Sequence, residues 1–68
     1  MSKFGERLAE LRKEKGFSQR ELSKHIKITQ ATIARWEAKT QEPLADNIIE
    51  VAKYFEVSTD YILGVKDY

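Results

Sequence analysis

The chain has 68 residues, of which 41% are hydrophobic and 34% charged, and this length suits one small domain rather than two. It has no cysteine and a single histidine, His25, so disulfide bonds and thiolate metal sites are excluded, and we expect His25 to be solvated rather than a ligand. The net charge is only +1, yet residues 1–40 carry ten Lys and Arg against five Asp and Glu, and residues 41–68 carry two against six. Either this asymmetry marks a basic face for a polyanion, or the lysine-rich helices stand early in the chain by chance.

The first two predicted helices follow from apolar spacing and capping. The first covers about residues 3–15 and ends at Gly16, because its apolar residues recur at i, i+4 and i+7 in Phe4, Leu8 and Leu11. The letters SQRE predict a capping box in which Ser18 and Glu21 exchange hydrogen bonds at the start of a second helix. The apolar face of that helix consists of Leu22 and Ile26.

A third helix begins almost at once. Thr29 is a good N-cap, and Ile33 and Trp36 supply the apolar stripe. Because only two residues separate Ile26 from Thr29, the second and third helices must cross at a large angle, as in a helix-turn-helix whose second helix enters the DNA major groove. An ordinary corner in a small helical bundle has the same sequence pattern.

The remaining segment predicts two more helices. Pro43 is predicted at the first position of a fourth helix, whose apolar residues are Leu44, Ile48, Val51, Ala52 and Phe55. Ser58 is predicted to cap a fifth helix that ends at Gly64 and carries Tyr61, Ile62 and Leu63. No alternating β pattern appears. We therefore predict an all-α fold, five short helices around one core, in a single domain over residues 1–68.

The exposed side of the third helix is chemically distinctive. With its apolar stripe set toward the core, steps of about 100° per residue place Gln30 and Thr32 on the flanks and four residues outward: Ala31, Ala34, Arg35 and Ala38. Small alanines permit close approach to a groove and contact with thymine methyl groups, while Gln30 and Arg35 carry groups that read adenine and guanine edges. Alanine is also simply a good helix former.

The segment SQRELSKHIKITQATIARWEAKTQEP resembles the Xre-type family of phage-repressor-like (Cro/C1-type) helix-turn-helix proteins. The matching positions are Ser18, Gln19, Leu22, Ser23, Ile26, Ile33, Trp36, Glu37 and Pro43. The likeness extends from about Phe4 to Gly64 and includes the ending VSTDYILG. It implies a lambda-repressor-like domain, with the helix-turn-helix at its second and third helices, that binds double-stranded operator DNA, usually as a homodimer on a palindrome and with no cofactor.

The resemblance also implies residue roles. Base contacts are expected from Gln30, Ala31, Thr32 and Arg35. Phosphate contacts are expected from Gln19, Lys27, Thr29, Lys39 and Thr40, although Lys39 and Thr40 also suit a solvated loop. Arg12 and Glu37 match a partly buried structural ion pair.

Two departures from the family pattern concern the backbone. Relatives commonly have glycine where this chain has Lys27 and Lys39, and both positions favour a left-handed conformation that costs a non-glycine residue about 1 kcal/mol. Both lysines add positive charge beside the expected DNA face. We hypothesise that Lys27 or Lys39 gives up intrinsic stability in exchange for phosphate affinity.

The predicted function is a sequence-specific, DNA-binding transcriptional regulator that acts as a repressor. The alternatives are a helical interaction module of the same fold without DNA binding, and an antitoxin-like autoregulator. The absence of Asp and Glu between residues 22 and 36 favours DNA binding. One histidine and three glycines leave no means to build a catalytic or metal site, so an enzyme is not expected.

The final residues carry more apolar surface than a small core needs. Val57, Tyr61 and Val65 are candidates for a dimer interface, although they also suit an ordinary core. With no apolar run long enough for a membrane span or signal peptide, we expect a cytoplasmic protein of bacterial or phage type. If the 68 residues are the whole protein, control must come from abundance, degradation or a protein partner such as an anti-repressor.

Overall fold

The computed structural model describes residues 2–68, which form five helices and no strand. The helices are α1 (Phe4–Glu14), α2 (Gln19–Ile26), α3 (Gln30–Glu37), α4 (Ala45–Phe55) and α5 (Thr59–Leu63). The predicted all-α architecture is therefore confirmed. Every connection between helices is short, so the chain turns back on itself four times and packs all five helices against a shared core.

Side-chain caps define where the short helices begin. At α2, the Ser18 hydroxyl accepts the Glu21 amide at 3.0 Å, and the Ser18 amide donates to the Glu21 carboxylate at 2.8 Å. This reciprocal pair is the predicted capping box, and it satisfies amides that have no partner inside the helix. Thr29 caps α3 and Ser58 caps α5 in the same way, each accepting the amide three residues ahead.

The prediction for the start of α4 was wrong by two residues. Pro43 lies before the helix, and Leu44, with φ −75° and ψ 159°, occupies the N-cap position. The Leu44 carbonyl accepts the amides of Asn47 and Ile48, so the helix needs no proline at its first position. Leu44 is 75% exposed and does not join the apolar stripe that sequence spacing assigned to it.

The core takes side chains from every helix, which is how so short a chain encloses any apolar volume. Its ten buried hydrophobic residues are Phe4, Leu8, Leu11, Leu22, Ile33, Trp36, Val51, Ala52, Phe55 and Ile62. The largest, Trp36 on α3, packs against the edge of Phe4 on α1 with ring centroids 5.4 Å apart. Ile33 and Trp36 together hold one side of α3 in the core and leave its other side to solvent.

Candidate nucleic-acid interface

The turn between α2 and α3 consists of Lys27 and Ile28, followed by the cap residue Thr29. Lys27 is left-handed, with φ 58° and ψ 34°, and its amide donates to the Ser23 carbonyl at 3.1 Å. A left-handed residue ends a helix and reverses the chain within one step, which a right-handed residue cannot do. This conformation at Lys27 confirms the predicted tight turn and sets the angle at which α3 leaves α2.

The exposed side of α3 carries the predicted base-contact residues. Gln30, Ala31 and Arg35 are exposed, whereas Thr32 is half-buried and its hydroxyl lies 2.9 Å from the Thr29 hydroxyl. Ala34 is half-buried, so it belongs to the edge of the exposed face rather than its centre. The first turn of α3 thus presents the Gln30 amide and the Ala31 methyl group to solvent, and the last turn presents the Arg35 guanidinium.

A buried polar network anchors the end of α3 to α1. The Arg12 guanidinium makes two hydrogen bonds to the Glu37 carboxylate, at 2.8 and 2.9 Å, and a third to the Phe17 carbonyl at 2.8 Å. Both charged side chains are about nine-tenths buried. The hydrogen bonds to Glu37 raise the pKa of Arg12, so the guanidinium remains charged. These are the two residues for which the resemblance implies an ion pair.

Gln19, predicted to contact phosphate, also joins this network. Its side-chain amide donates to the Glu37 carboxylate at 3.0 Å from the first residue of α2. Because that amide nitrogen carries two hydrogens, one hydrogen is held by Glu37 and the other is available to an acceptor outside. The network therefore connects α1, α2 and α3 at one point.

The other predicted phosphate-contact residues surround α3. Thr29 lies at its N-terminus, where the Thr29 hydroxyl accepts the Thr32 amide at 3.2 Å. Thr40 lies past its C-terminus, where both the amide and the hydroxyl of Thr40 donate to the Arg35 carbonyl. These bonds fold the loop after α3 back onto the helix.

The two lysines that replace glycine differ in their surroundings. Both are left-handed, since Lys39 has φ 63°, and both are exposed. Lys39 forms an ion pair with Glu6 of α1. Lys27 has no ion-pair partner within residues 2–68 and borders a surface cavity of about 260 Å³ between α2 and α4. The two lysines therefore have the same backbone conformation, but within residues 2–68 only Lys39 has an ion-pair partner.

A family model described as "Helix-turn-helix" matches residues 8–62. The chain belongs to the helix-turn-helix family. The matched range includes α2, α3 and the turn between them, and the resemblance deduced from the motif is confirmed.

Several helix-turn-helix regulators are similar to this chain over most of its length. The transcriptional regulator YobD of Bacillus subtilis is 34% identical over 94% of the chain, and ImmR of the same organism is 32% identical over 90%. Repressor protein C2 of Salmonella phage P22 is 32% identical over 88%. These matches span 57%, 48% and 28% of the three relatives, so the chain corresponds to only part of each of them.

Solved structures support the same assignment. The P22 c2 repressor in complex with a synthetic operator superposes with a TM-score of 0.84 and 29% identity, covering 97% of this chain and all of that one. A transcriptional regulator from Listeria innocua gives a TM-score of 0.84 at 26% identity, covering 94% of this chain and 60% of that one. The helix-turn-helix arrangement of this chain is therefore that of proteins described as regulators and repressors.

The candidate dimer residues lie around α5. Val57 and Tyr61 are half-buried, and Val65 is 69% exposed. The Arg7 guanidinium lies 4.2 Å from the centre of the Tyr61 ring and 3.3 Å from the Asp67 carboxylate. One face of Tyr61 is therefore covered from within the chain, and Val65 contributes most of the exposed apolar surface among the three candidates.

Sequence reasoning missed two contacts between separate elements. Glu6 pairs with Lys39 from 33 residues away, and no local pattern identifies such a pair. His25 stacks on Phe17 with ring centroids 4.6 Å apart and lies 6.0 Å from Tyr54, so the exposed histidine belongs to an aromatic cluster. In the sequence, the cluster is indicated only by the positions of Phe17, His25 and Tyr54 near the ends of helices.

Neither a metal-binding cluster nor a membrane-spanning helix occurs in the described part of the chain. Residues 2–68 contain no group of three or more His, Asp or Glu side chains arranged to hold a metal ion. In the same residues, no helix has both the length and the apolar character needed to cross a bilayer.

Proposed function

We propose that the chain is a sequence-specific, double-stranded DNA-binding domain of a transcriptional repressor that places α3 in the major groove. The observation that carries the proposal is the division of α3 into two faces. Ile33 and Trp36 hold one face at no more than 1% exposure, while Gln30, Ala31 and Arg35 project from the other. A rigid helix with small and hydrogen-bonding side chains outward has the form and chemistry needed to read a major groove.

Each outward residue has a defined recognition chemistry in this proposal. The Arg35 guanidinium is suited to two hydrogen bonds with guanine, and the Gln30 amide to two with adenine. The Ala31 methyl group packs against thymine methyl groups. The Thr32 hydroxyl, already bonded to Thr29, retains a lone pair or hydrogen for a neighbouring base or phosphate.

The backbone contacts proposed here lie on either side of α3. Lys27 and Thr29 stand near its N-terminus. Lys39 and Thr40 stand beyond its C-terminus, and the Gln19 side chain reaches the same end through its hydrogen bond to Glu37. Contacts on both sides of a groove fix the position and angle of the helix but carry no sequence information themselves. Arg12 and Glu37 stabilise this geometry from the protein interior and touch no DNA.

We further propose that two copies bind a palindromic operator. A single recognition helix reads too few base pairs for the specificity of a repressor, and two-fold pairing doubles the site. Val57, Tyr61 and Val65 are the proposed contact surface. Sedimentation at a 2:1 ratio of chain to selected operator should give a complex of two chains. A complex with one chain at every concentration would contradict the dimer without affecting DNA binding itself. We also propose that the protein acts in the cytoplasm, where it would meet operator DNA.

The experiment that tests the function is selection of bound duplexes from a random pool at two salt concentrations. The unaltered chain should enrich one sequence, and Arg35→Ala should relax the preference at one base pair, at a cost of about 1 to 3 kcal/mol. Arg20→Ala is the matched control, because Arg20 is an exposed arginine on α2 outside the proposed base-reading face. Failure of the unaltered chain to enrich any duplex would favour an interaction module.

A further inference from the structure

Glu6 and Lys39 form an ion pair that joins the first turn of α1 to the loop after α3. Both side chains are about half exposed, at 51% for Glu6 and 41% for Lys39. Hydrogen bonding to the Lys39 ammonium, followed by its charge, lowers the pKa of the Glu6 carboxyl. The lysine that stands beside the proposed DNA-binding face is thus already bound to an anionic group.

The meeting of these two residues follows from the backbone. Gly5 packs so closely against α3 that a β-carbon there would collide with the Trp36 carbonyl oxygen. This contact brings the adjacent Glu6 to the end of α3. The left-handed conformation of Lys39, with φ 63°, turns the chain at that same end. Two elements 33 residues apart in sequence therefore present opposite charges to each other.

The loop containing Lys39 is also fixed against α3 on the side of Arg35. The Thr40 amide donates to the Arg35 carbonyl at 3.0 Å, so Lys39 and Thr40 remain beside the last turn of the recognition helix. A duplex seated on α3 would bring a phosphate near this loop. Phosphate and carboxylate oxygens are interchangeable acceptors for an ammonium group, so they compete for Lys39.

We propose that Glu6 occupies the place of a DNA phosphate at Lys39, and that Lys39 exchanges the Glu6 carboxylate for a backbone phosphate when operator DNA binds. Glu6 is then a residue that limits DNA affinity from within the protein. This inference rests on the proposed DNA-binding function. Lys27 provides the contrast, because it has the same backbone conformation but no carboxylate partner within residues 2–68, and makes its phosphate contact without an exchange.

The test uses the full chain, four variants and the duplex enriched by selection, with affinity measured by fluorescence anisotropy over a range of salt concentrations. The variants are Glu6→Gln, Lys39→Gln, the double variant, and Glu10→Gln as a control. Glu10 lies one turn further along α1, is exposed and makes no ion pair within residues 2–68. Its substitution therefore makes the same change in net charge without releasing a lysine.

Lys39→Gln should reduce the slope of log K against log salt by about 0.9, the value for one phosphate contact. Glu6→Gln should tighten binding about two- to fivefold, because Lys39 no longer has to leave a carboxylate before it binds phosphate. The salt slope should not change, because Lys39 contacts phosphate in both the variant and the unaltered protein. In the Lys39→Gln background, Glu6→Gln should tighten binding no more than Glu10→Gln does. NMR titration of the Glu6 carboxyl should show its lowered pKa returning toward the ordinary value in the DNA complex.

Two results would overturn the exchange: an unchanged salt slope in Lys39→Gln, or equal tightening by Glu6→Gln with and without Lys39. If the unaltered chain binds its selected duplex and either result appears, only the exchange fails. If the unaltered chain selects no duplex, the proposed function fails and the exchange fails with it. Circular dichroism of each variant confirms that the fold is intact before affinities are compared.

Discussion

Within residues 2–68, three residues other than glycine adopt left-handed backbone conformations. Substituting each of them by glycine separates the effect of backbone strain on stability from the effect of charge on DNA affinity. Lys27, Lys39 and Glu56 have φ values of 58°, 63° and 58°. Removing the strain of this conformation should raise the free energy of unfolding by about 1 kcal/mol per site. The greater conformational entropy of glycine in the unfolded chain offsets part of this gain. For a domain of this size, 1 kcal/mol corresponds to a shift of about 4 to 8 °C in Tm. We expect Lys27→Gly and Glu56→Gly to raise Tm by similar amounts. Lys39→Gly should raise it less, because it also removes the ion pair with Glu6.

The assays are thermal and urea denaturation followed by circular dichroism, together with anisotropy titrations of the selected duplex at several salt concentrations. Lys27→Gly should reduce the salt slope by about 0.9, whereas Glu56→Gly, at the end of α4, should leave it unchanged. Glu56→Gly is thus the matched control for stability gained without a lost phosphate contact. A Lys27→Gly protein that is no more stable than the original would refute the strain argument. Equal salt slopes in the two variants would refute the phosphate contact.

Three further predictions concern the packing and caps that hold the fold. Arg12→Met should lower the free energy of unfolding by about 3 kcal/mol in urea titrations, because it removes the arginine partner of a Glu37 side chain that is about nine-tenths buried. A loss below about 1 kcal/mol would mean that water already screens the pair. Gly5→Ala should lower the free energy of unfolding by at least about 2 kcal/mol, since the new methyl group meets the backbone of α3 rather than a movable side chain. An unchanged Tm would disprove that close contact. The capping hydrogen bond from the Ser18 amide lowers the pKa of Glu21 in the folded protein. The Glu21 carboxylate therefore stabilises the fold above its ordinary pKa of 4.5, and this stabilisation is lost as pH falls through the folded-state pKa. Glu21→Gln should therefore make the free energy of unfolding depend less on pH in the acid range. The same pH dependence in the variant and the unaltered protein would contradict the stabilising role of the Glu21 carboxylate.

The features predicted correctly from the sequence are those set by neighbours along the chain. The Ser18–Glu21 capping box, the apolar stripe of Ile33 and Trp36, and the short turn between α2 and α3 each depend on residues within a few positions of one another. Local steric and hydrogen-bonding rules are enough to predict such features. The start of α4 was missed because an extended Leu44 supplies an unfavourable but sufficient N-cap, and propensity rules favour a polar residue there.

Contacts between distant segments were beyond the reach of local rules. The Glu6–Lys39 ion pair depends on the close approach of α1 and α3 at Gly5, which only the folded backbone shows. The family pattern implied the pair between Arg12 and Glu37, but not that the Gln19 amide donates to the same carboxylate. These interactions decide which polar groups beside α3 are already occupied, and hence which of them are immediately available to a ligand.

The separation of α3 into a buried and an exposed face has a consequence for how such a protein can change its target. Ile33 and Trp36 carry the folding role of the helix, whereas Gln30, Ala31 and Arg35 contribute little buried area. Substitutions at the three exposed positions therefore leave the fold largely unaffected, since surface changes typically shift stability by less than about 0.5 kcal/mol. Under the proposed function, a change of operator preference therefore needs only a few substitutions at these exposed positions, and every intermediate variant remains folded.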